Sequence, residues 1–115
     1  MEISQETSKN IEELQILEHQ LQGFLVQKQN IQVELNEVNN AFEETKKTED
    51  DVYKILSNVM MKANKEDLIK ELEERKRLLE LRINSFEKQE EAIESKVSKL
   101  REKIEKDMRK ERTKK

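Results

Sequence analysis

Two long segments of the chain place apolar side chains at alternating intervals of three and four residues, and no proline interrupts either segment. The first series runs from Ile3 to Thr45 and the second from Ile69 to Ile104. A mean spacing of 3.5 residues is the heptad pattern of a left-handed coiled coil. The sequence therefore predicts two long helices that pair through these two heptad stripes. The first stripe is Ile3, Thr7, Asn10, Leu14, Leu17, Leu21, Phe24, Lys28, Ile31, Leu35, Val38, Phe42 and Thr45, and the second is Ile69, Leu72, Lys76, Leu79, Ile83, Phe86, Glu90, Ile93, Val97, Leu100 and Ile104.

A short apolar stretch without helical spacing, residues 52–63, lies between the two stripes. Its β-branched and aromatic residues favour strands, and the central pair Ser57-Asn58 favours a turn. We therefore expect a β-hairpin here. The alternatives are an apolar loop that lets the chain turn back, or helix that continues through the stretch.

The residues around this stretch indicate where the helices end. The acidic cluster at 49–51 opposes the dipole at a helix C-terminus, and Asn64 suits the N-cap of the second helix. The predicted fold is mainly α, a long antiparallel coiled-coil hairpin with one β-hairpin between its two helices. We expect a single domain over residues 1–115, and its elements would cover about 4–47 for the first helix, 50–63 for the β-hairpin and 65–111 for the second helix.

Composition and charge exclude several classes of protein. With 43% charged and 33% hydrophobic residues, the chain is unlike a protein with a compact globular core. Its net charge of −3 is a poor match for nucleic acid. No run approaches 18 apolar residues and no signal-like apolar stretch begins the chain, so we expect neither a membrane partner nor export, and a cytoplasmic location.

The residue types in the sequence predict neither a catalytic site nor a metal site. The chain has no cysteine, and its one histidine, His19, falls at an outward position of the first helix. Carboxylates are abundant, but they lie on helix faces predicted to be solvated, and there is no glycine-rich loop for phosphate. We expect no enzyme activity, no catalytic residues, no metal and no cofactor.

The predicted hairpin is apolar on both faces, which suggests a role in assembly. A lone two-stranded hairpin is marginal in water and leaves two open edges. Three aliphatic residues outside the stripes near the hairpin, Val33, Leu78 and Leu81, would either pack against neighbouring chains or be ordinary exposed side chains. The predicted oligomerisation residues of the hairpin are Val52, Tyr53, Ile55, Leu56, Val59, Met60 and Met61.

The helix ends remote from the hairpin are predicted to pack weakly. Polar Thr7 and Asn10 occupy the first stripe there, and the second stripe ends at Ile104. Apolar residues near these tips would offer a surface to a bound protein. The candidates for that contact are Ile3, Ile11, Leu14, Ile16, Leu17, Val97, Leu100, Ile104 and Met108.

The last fifteen residues, 101–115, carry eight basic and four acidic side chains. One interpretation is an electrostatic arm for an acidic partner or nucleic acid. The other, which we favour, is a basic helix C-terminus that complements the helix dipole, because no aromatic residue is interleaved for base stacking.

Three stretches, which together span roughly residues 20 to 105, carry a family likeness. They are Val26-Gln27-Lys28-Gln29-Asn30-Ile31 with Glu34-Leu35-Asn36-Glu37 and Ala41-Phe42-Glu43-Glu44; Asp51-Val52-Tyr53-Lys54 with Lys65-Glu66-Asp67-Leu68; and Leu78-Leu79-Glu80-Leu81-Arg82-Ile83 with Glu87-Lys88-Gln89-Glu90. These stretches resemble the β class of prefoldin subunits, the archaeal and eukaryotic holdase chaperone. The family usually has a glycine in or near the hairpin turn, where this chain has Ser57-Asn58.

The resemblance carries expectations about partners and mechanism. About 14 residues separate the helices, enough for one hairpin, whereas the family's α class carries two. The β class implies a hetero-hexamer of two α and four β subunits, in which the hairpins join into β-barrels. The coiled-coil tips would hold unfolded client protein without ATP and deliver it to a group II chaperonin. The alternatives are a structural or adaptor coiled coil that dimerises through its heptads, and a nucleic-acid accessory protein that uses the basic tail.

Overall fold

The computed structural model describes residues 4–113, which form two long α-helices joined by a two-stranded antiparallel β-hairpin. The helix–hairpin–helix fold predicted from the sequence is thereby confirmed. The elements are α1 Gln5–Lys47, β1 Val52–Leu56, β2 Val59–Ala63 and α2 Lys65–Thr113. The described residues fall into two compact units, a terminal unit made of residues 4–27 and 85–113, and a hairpin unit, Lys28–Asn84.

A serine cap starts α1. The backbone N–H of Thr7 donates a hydrogen bond to Ser4 Oγ at 3.1 Å, and Ser4 Oγ donates to Thr7 Oγ1 at 2.8 Å. Such a cap satisfies a backbone donor that the first helical turn leaves without an internal partner. Thr7 is fully buried. The serine satisfies the buried hydroxyl of Thr7, so this polar residue is accommodated in the heptad stripe.

The junctions between helices and hairpin are fixed by side chains that bond to the backbone. Past the end of α1, Thr48 Oγ1 accepts a hydrogen bond from the N–H of Asp50 at 3.2 Å. Lys65 Nζ donates to the Thr48 carbonyl at 2.6 Å. Asn64 Oδ1 accepts from the N–H of Asp67 at 3.1 Å, so Asn64 is the N-cap of α2, as predicted.

The hairpin closes with a two-residue turn at Ser57 and Asn58. Both residues have positive φ, 48° and 69°, and Leu56 pairs with Val59 across the turn. Positive φ at both central residues is the requirement of a type I′ turn, whose twist matches that of the flanking strands. Asn tolerates this conformation better than most residues, which explains how the turn forms without glycine.

The core of the hairpin unit comes from the two heptad stripes. Lys76 belongs to the second stripe, and its ammonium lies 5.9 Å from the centre of the Phe42 ring. This cation–π contact lets a charged side chain occupy a half-buried position. Thr45 Oγ1 donates to the Ala41 carbonyl at 2.7 Å. The buried residues of the unit are Ile31, Leu35, Val38, Thr45 and Leu79.

The terminal unit pairs residues of α1 and α2 by the same heptad logic. Val97 and Ile104 are buried, and the rings of Phe24 and Phe86 lie 5.7 Å apart at 49°. Tilted aromatic pairs of this kind add a favourable electrostatic contribution to burial. Contact between two stripe positions, one from each helix, is the arrangement that the heptad pattern predicts.

Ion pairs flank this core and show the helix direction. Glu6 pairs with Lys103 at 3.1 Å and Glu18 pairs with Arg101 at 3.1 Å. The partner of Glu6 is residue 103 of α2, whereas the partner of Phe24 is Phe86, so the two helical segments of the terminal unit are antiparallel. The hydrogen bond to Glu6, together with its charge, raises the pKa of Lys103. These pairs are exposed and therefore orient the helices more than they stabilise them.

Candidate functional site

The hairpin presents apolar side chains on both of its faces. The register pairs Ile55 with Met60 on one face and Leu56 with Val59 on the other. Val52, at the base of the hairpin, is half-buried. Large apolar side chains elsewhere in a folded chain are usually covered, so this surface is suited to contact with another protein. The exposed members, with 49% to 69% of their surface accessible, are Tyr53, Ile55, Leu56, Val59, Met60 and Met61.

In the described part of the chain, neither edge of the hairpin is paired with a further strand. Among residues 4–113 the sheet has two strands, so β1 and β2 each have one neighbouring strand. The outer backbone groups of both strands can therefore pair with a strand from another chain.

An apolar groove of about 520 Å³ lies between β1 and α2 in the hairpin unit. Leu56 from the hairpin and Leu68, Leu72 and Leu78 from α2 line it. Leu78 is half exposed, and Lys54 and Glu71 form an ion pair of 3.3 Å among the lining residues. The groove extends the apolar surface of the hairpin onto α2.

The terminal unit contains a second cleft, of about 410 Å³, where the structure brings three of the predicted client-contact residues together. Leu14 lies on one side, and Ile104 and Met108 lie on the other. Arg101 and Arg109 also line this cleft. Glu105 lines the cleft as well, and both arginines are ion-paired, Arg101 with Glu18 at 3.1 Å and Arg109 with Glu105 at 2.6 Å. The cleft therefore combines three apolar side chains with a rim of paired charges.

The predicted client-contact residues occupy different environments. Val97 and Ile104 are almost fully buried, so only a small part of either side chain is accessible to a client. Leu14, Leu17, Leu100, Ile11 and Met108 are half-buried, and Ile16 is exposed. Ile3 lies outside the described residues.

Residues 4–113 contain no cluster of His, Cys, Asp and Glu side chains arranged to hold a metal ion. Over the same range, neither helix has a stretch long and apolar enough to cross a membrane. His19 is exposed on α1. The surfaces of interest are therefore the hairpin with its groove and the cleft of the terminal unit.

Comparison with known proteins agrees with this arrangement. Residues 8–111 match the family described as prefoldin subunit. The chain belongs to the prefoldin subunit family. It is 33% identical to the prefoldin β subunit of Archaeoglobus fulgidus over 105 residues, which cover 90% of each chain. It is 38% identical to the prefoldin β subunit of Pyrococcus furiosus over 94 residues, which cover 80% of each chain.

A solved prefoldin structure has the same fold. The crystal structure of the prefoldin β subunit from Thermococcus strain KS-1 matches with a TM-score of 0.86 and 30% sequence identity, over 91% of this chain and 94% of that one. The relatives described here are β subunits, so the resemblance to the β class is confirmed. The prefoldin family consists of chaperone subunits, which assigns the chain to that class.

Two features of these prefoldin surfaces were missed at the level of sequence. Leu68 lies outside the heptad stripes, and its place in the groove depends on how the hairpin folds back toward α2. Arg101 and Arg109 were counted only as part of a basic tail, although both line the terminal cleft beside apolar side chains. A mixture of apolar and basic residues at helical spacing around residue 104 is the signal that could have revealed the cleft.

Proposed function

We propose that this prefoldin subunit joins α-class subunits and further copies of itself in a hetero-hexamer of two α and four β chains, through its β-hairpin. The observation that carries the proposal is the set of six large apolar side chains exposed on the hairpin. Covering their exposed parts would contribute about 5–10 kcal/mol per chain before the costs of association. Open strand edges would add backbone hydrogen bonds to the same contact.

The assembled chaperone holds unfolded protein at its terminal units, without ATP, and passes it to a group II chaperonin in the cytoplasm. The terminal cleft around Leu14, Ile104 and Met108 supports this role, because it offers an apolar surface of modest size. Weak contacts from several subunits add together through their high effective concentration. Competition by the chaperonin can therefore release the client.

The assembly step is tested with the double variant Ile55→Lys/Met60→Glu. These two residues face each other across the strands, so the new charges attract and support the hairpin while they remove its apolar surface. Mixed with an α-class subunit, the wild-type chain should give a hexamer by light scattering after size exclusion. The variant should remain unassembled and keep its helical circular dichroism.

The matched control is Ile16→Lys/Val26→Glu, which also replaces two exposed aliphatic residues without changing net charge, but in the terminal unit. It should assemble like the wild type. A hexamer formed by the hairpin variant would contradict the proposal and favour a coiled coil that assembles through its heptads.

The client step is tested by removing about a dozen residues from each terminus of the chain. This truncation takes Ile104 and Met108 away from the terminal cleft and leaves the hairpin unit intact. The hexamer should persist, whereas suppression of aggregation of a chemically unfolded protein, followed by light scattering, should fall severalfold. Unchanged suppression would place client binding elsewhere.

A further inference from the structure

The hairpin carries two neighbouring methionines, Met60 and Met61, on a surface that the chain itself leaves uncovered. Met60 is 66% exposed and Met61 is 49% exposed, whereas Met108 of the terminal unit is half-buried. The sequence has four methionines and no cysteine, so thioether sulfur is the only sulfur that an oxidant can attack in this chain. Among the methionines of residues 4–113, those of the hairpin are therefore the most open to oxidation.

The strand register places one methionine on each face of the hairpin. Met60 pairs with Ile55 and Met61 pairs with Lys54, and successive residues of a strand point to opposite faces. Met60 therefore shares one face with Ile55, and Met61 shares the other with Val59. A change of polarity at the two sulfur atoms would alter both apolar faces at once.

Strand formation does not explain why methionine occupies these positions. β1 contains Val52, Tyr53 and Ile55, which are residue types that strands favour, whereas the middle of β2 is Met60-Met61. The flexible side chain of methionine adapts to irregular contacts, and its thioether can be oxidised reversibly. The first property suits a surface that packs against more than one kind of subunit, and the second makes the same surface sensitive to an oxidant.

We propose that Met60 and Met61 form a reversible oxidation site that controls the entry of the free subunit into the hexamer. The inference rests on the proposed assembly through the hairpin and adds a means of regulating it. The oxidant is a peroxide: the sulfur lone pair attacks one peroxide oxygen, the O–O bond breaks, an S–O bond forms, and with hydrogen peroxide the second oxygen leaves as water. The sulfur loses the two electrons that the peroxide gains. A methionine sulfoxide reductase reverses the step, releasing the oxygen as water while two thiols become a disulfide.

A sulfoxide on the hairpin opposes assembly because the oxidised side chain is polar. Its oxygen accepts hydrogen bonds from water, and burial against apolar side chains would leave that acceptor without a partner. The contacts that cover the hairpin in the hexamer would in turn shield both sulfur atoms. Oxidation therefore acts on chains that have not yet assembled, and assembled subunits resist it.

The first test measures which methionines react in the free subunit and in the preformed hexamer. Both samples are treated with hydrogen peroxide, the reaction is stopped with catalase, and the sulfoxide at each position is quantified by tandem mass spectrometry of peptides. In the free subunit, Met60 and Met61 should react several-fold faster than Met108. In the hexamer their rates should fall roughly ten-fold, while the rate at Met108, the internal control in the terminal unit, stays the same.

The second test measures assembly after oxidation. Peroxide-treated subunit, freed of oxidant, is mixed with untreated α-class subunit, and the hexamer is followed by light scattering after size exclusion. The concentration of α-class subunit for half-maximal assembly should rise roughly ten-fold for the wild type and for Met108→Leu. It should stay unchanged for Met60→Leu/Met61→Leu, because leucine keeps the apolar volume without an oxidisable sulfur. Incubation with the reductase and dithiothreitol should restore assembly of the wild type.

The outcomes separate this inference from the proposed function. If the untreated wild-type chain forms no hexamer with the α-class subunit, the assembly proposal itself fails. If the oxidised wild-type chain assembles like the untreated chain, or if the leucine double variant is inhibited equally, the hairpin methionines do not control assembly and the assembly proposal stands. Loss of helical circular dichroism on oxidation, or equal rates at Met60 and Met61 in free and assembled chains, would also overturn the inference.

The reductase decides the case in which the leucine double variant does not assemble even when untreated. Recovery of wild-type assembly together with removal of the sulfoxides at Met60 and Met61 would support the oxidation site. Removal of those sulfoxides without recovery of assembly would overturn it.

Discussion

Two adjacent leucines of α2 provide a sharp test of which apolar residues stabilise the fold and which serve assembly. Leu79 belongs to the second heptad stripe and is 5% exposed, whereas Leu78 lines the groove beside the hairpin and is 50% exposed. We predict that Leu79→Ala lowers the stability of the subunit and that Leu78→Ala mainly weakens assembly. Because the two residues are neighbours with the same side chain, each variant is the control for the other.

The expected magnitudes follow from burial. Replacing a buried leucine with alanine costs about 2–5 kcal/mol, depending on how far the surroundings close around the cavity. Two helices can approach each other more easily than the walls of a globular core, so we expect about 2–3 kcal/mol for Leu79→Ala. In a chain of this length that loss lowers Tm by roughly 8–12 °C. Leu78→Ala removes a half-exposed side chain and gains helix propensity, so its cost should stay below about 1 kcal/mol.

Stability is measured by urea unfolding of the isolated subunit, followed by circular dichroism at 222 nm at several protein concentrations. Assembly is measured by the concentration of α-class subunit needed to form the hexamer. Leu78→Ala should raise that concentration while leaving the urea midpoint nearly unchanged. Equal losses of stability in the two variants would refute the assignment of Leu79 to the core and Leu78 to an interface.

Three further substitutions probe local features of the fold by the same urea titration. Gly23→Ala should stabilise the subunit by up to about 1 kcal/mol, because alanine is the better helix former and its Cβ meets no neighbour; a loss of stability would contradict the open space found there. Ser57→Val should cost about 1–2 kcal/mol, since a β-branched residue is strained at positive φ, and no change would mean that the turn relaxes. Asn64→Ala should cost about 1 kcal/mol through loss of the N-cap of α2, with a neutral result arguing against the capping bond.

The heptad pattern predicted the helix pairing well, because the pattern is a local property of the sequence. Every described position of both stripes is buried or half-buried, including the charged residues Lys28, Lys76 and Glu90. The turn was also predictable, since Ser57 and Asn58 are flanked by β-branched and aliphatic residues on both sides. In both cases a short window of residues contains the whole physical signal.

Features that depend on residues far apart in the sequence could not be predicted in this way. The bond from Lys65 to the Thr48 carbonyl joins positions separated by the whole hairpin. The fit of Thr7 in the stripe depends on the serine cap three residues before it. Spacing alone placed Ile16 and Val26 outside the heptad stripes, and only the structure shows that 59% and 47% of their surfaces are accessible.

The division of apolar residues between the heptad stripes and the hairpin surface implies that folding and assembly can be altered separately. Leu79 is buried by its own chain, whereas Ile55 and Met60 are left exposed by it. If the two sets act independently, the loss of unfolding free energy in the triple variant Ile55→Lys/Met60→Glu/Leu79→Ala should equal the sum of the losses measured for Ile55→Lys/Met60→Glu and for Leu79→Ala, to within the roughly 0.3–0.5 kcal/mol expected for additive sites. A larger difference would mean that the hairpin surface also supports the pairing of the helices, so that the subunit could not lose its partners without losing part of its own stability.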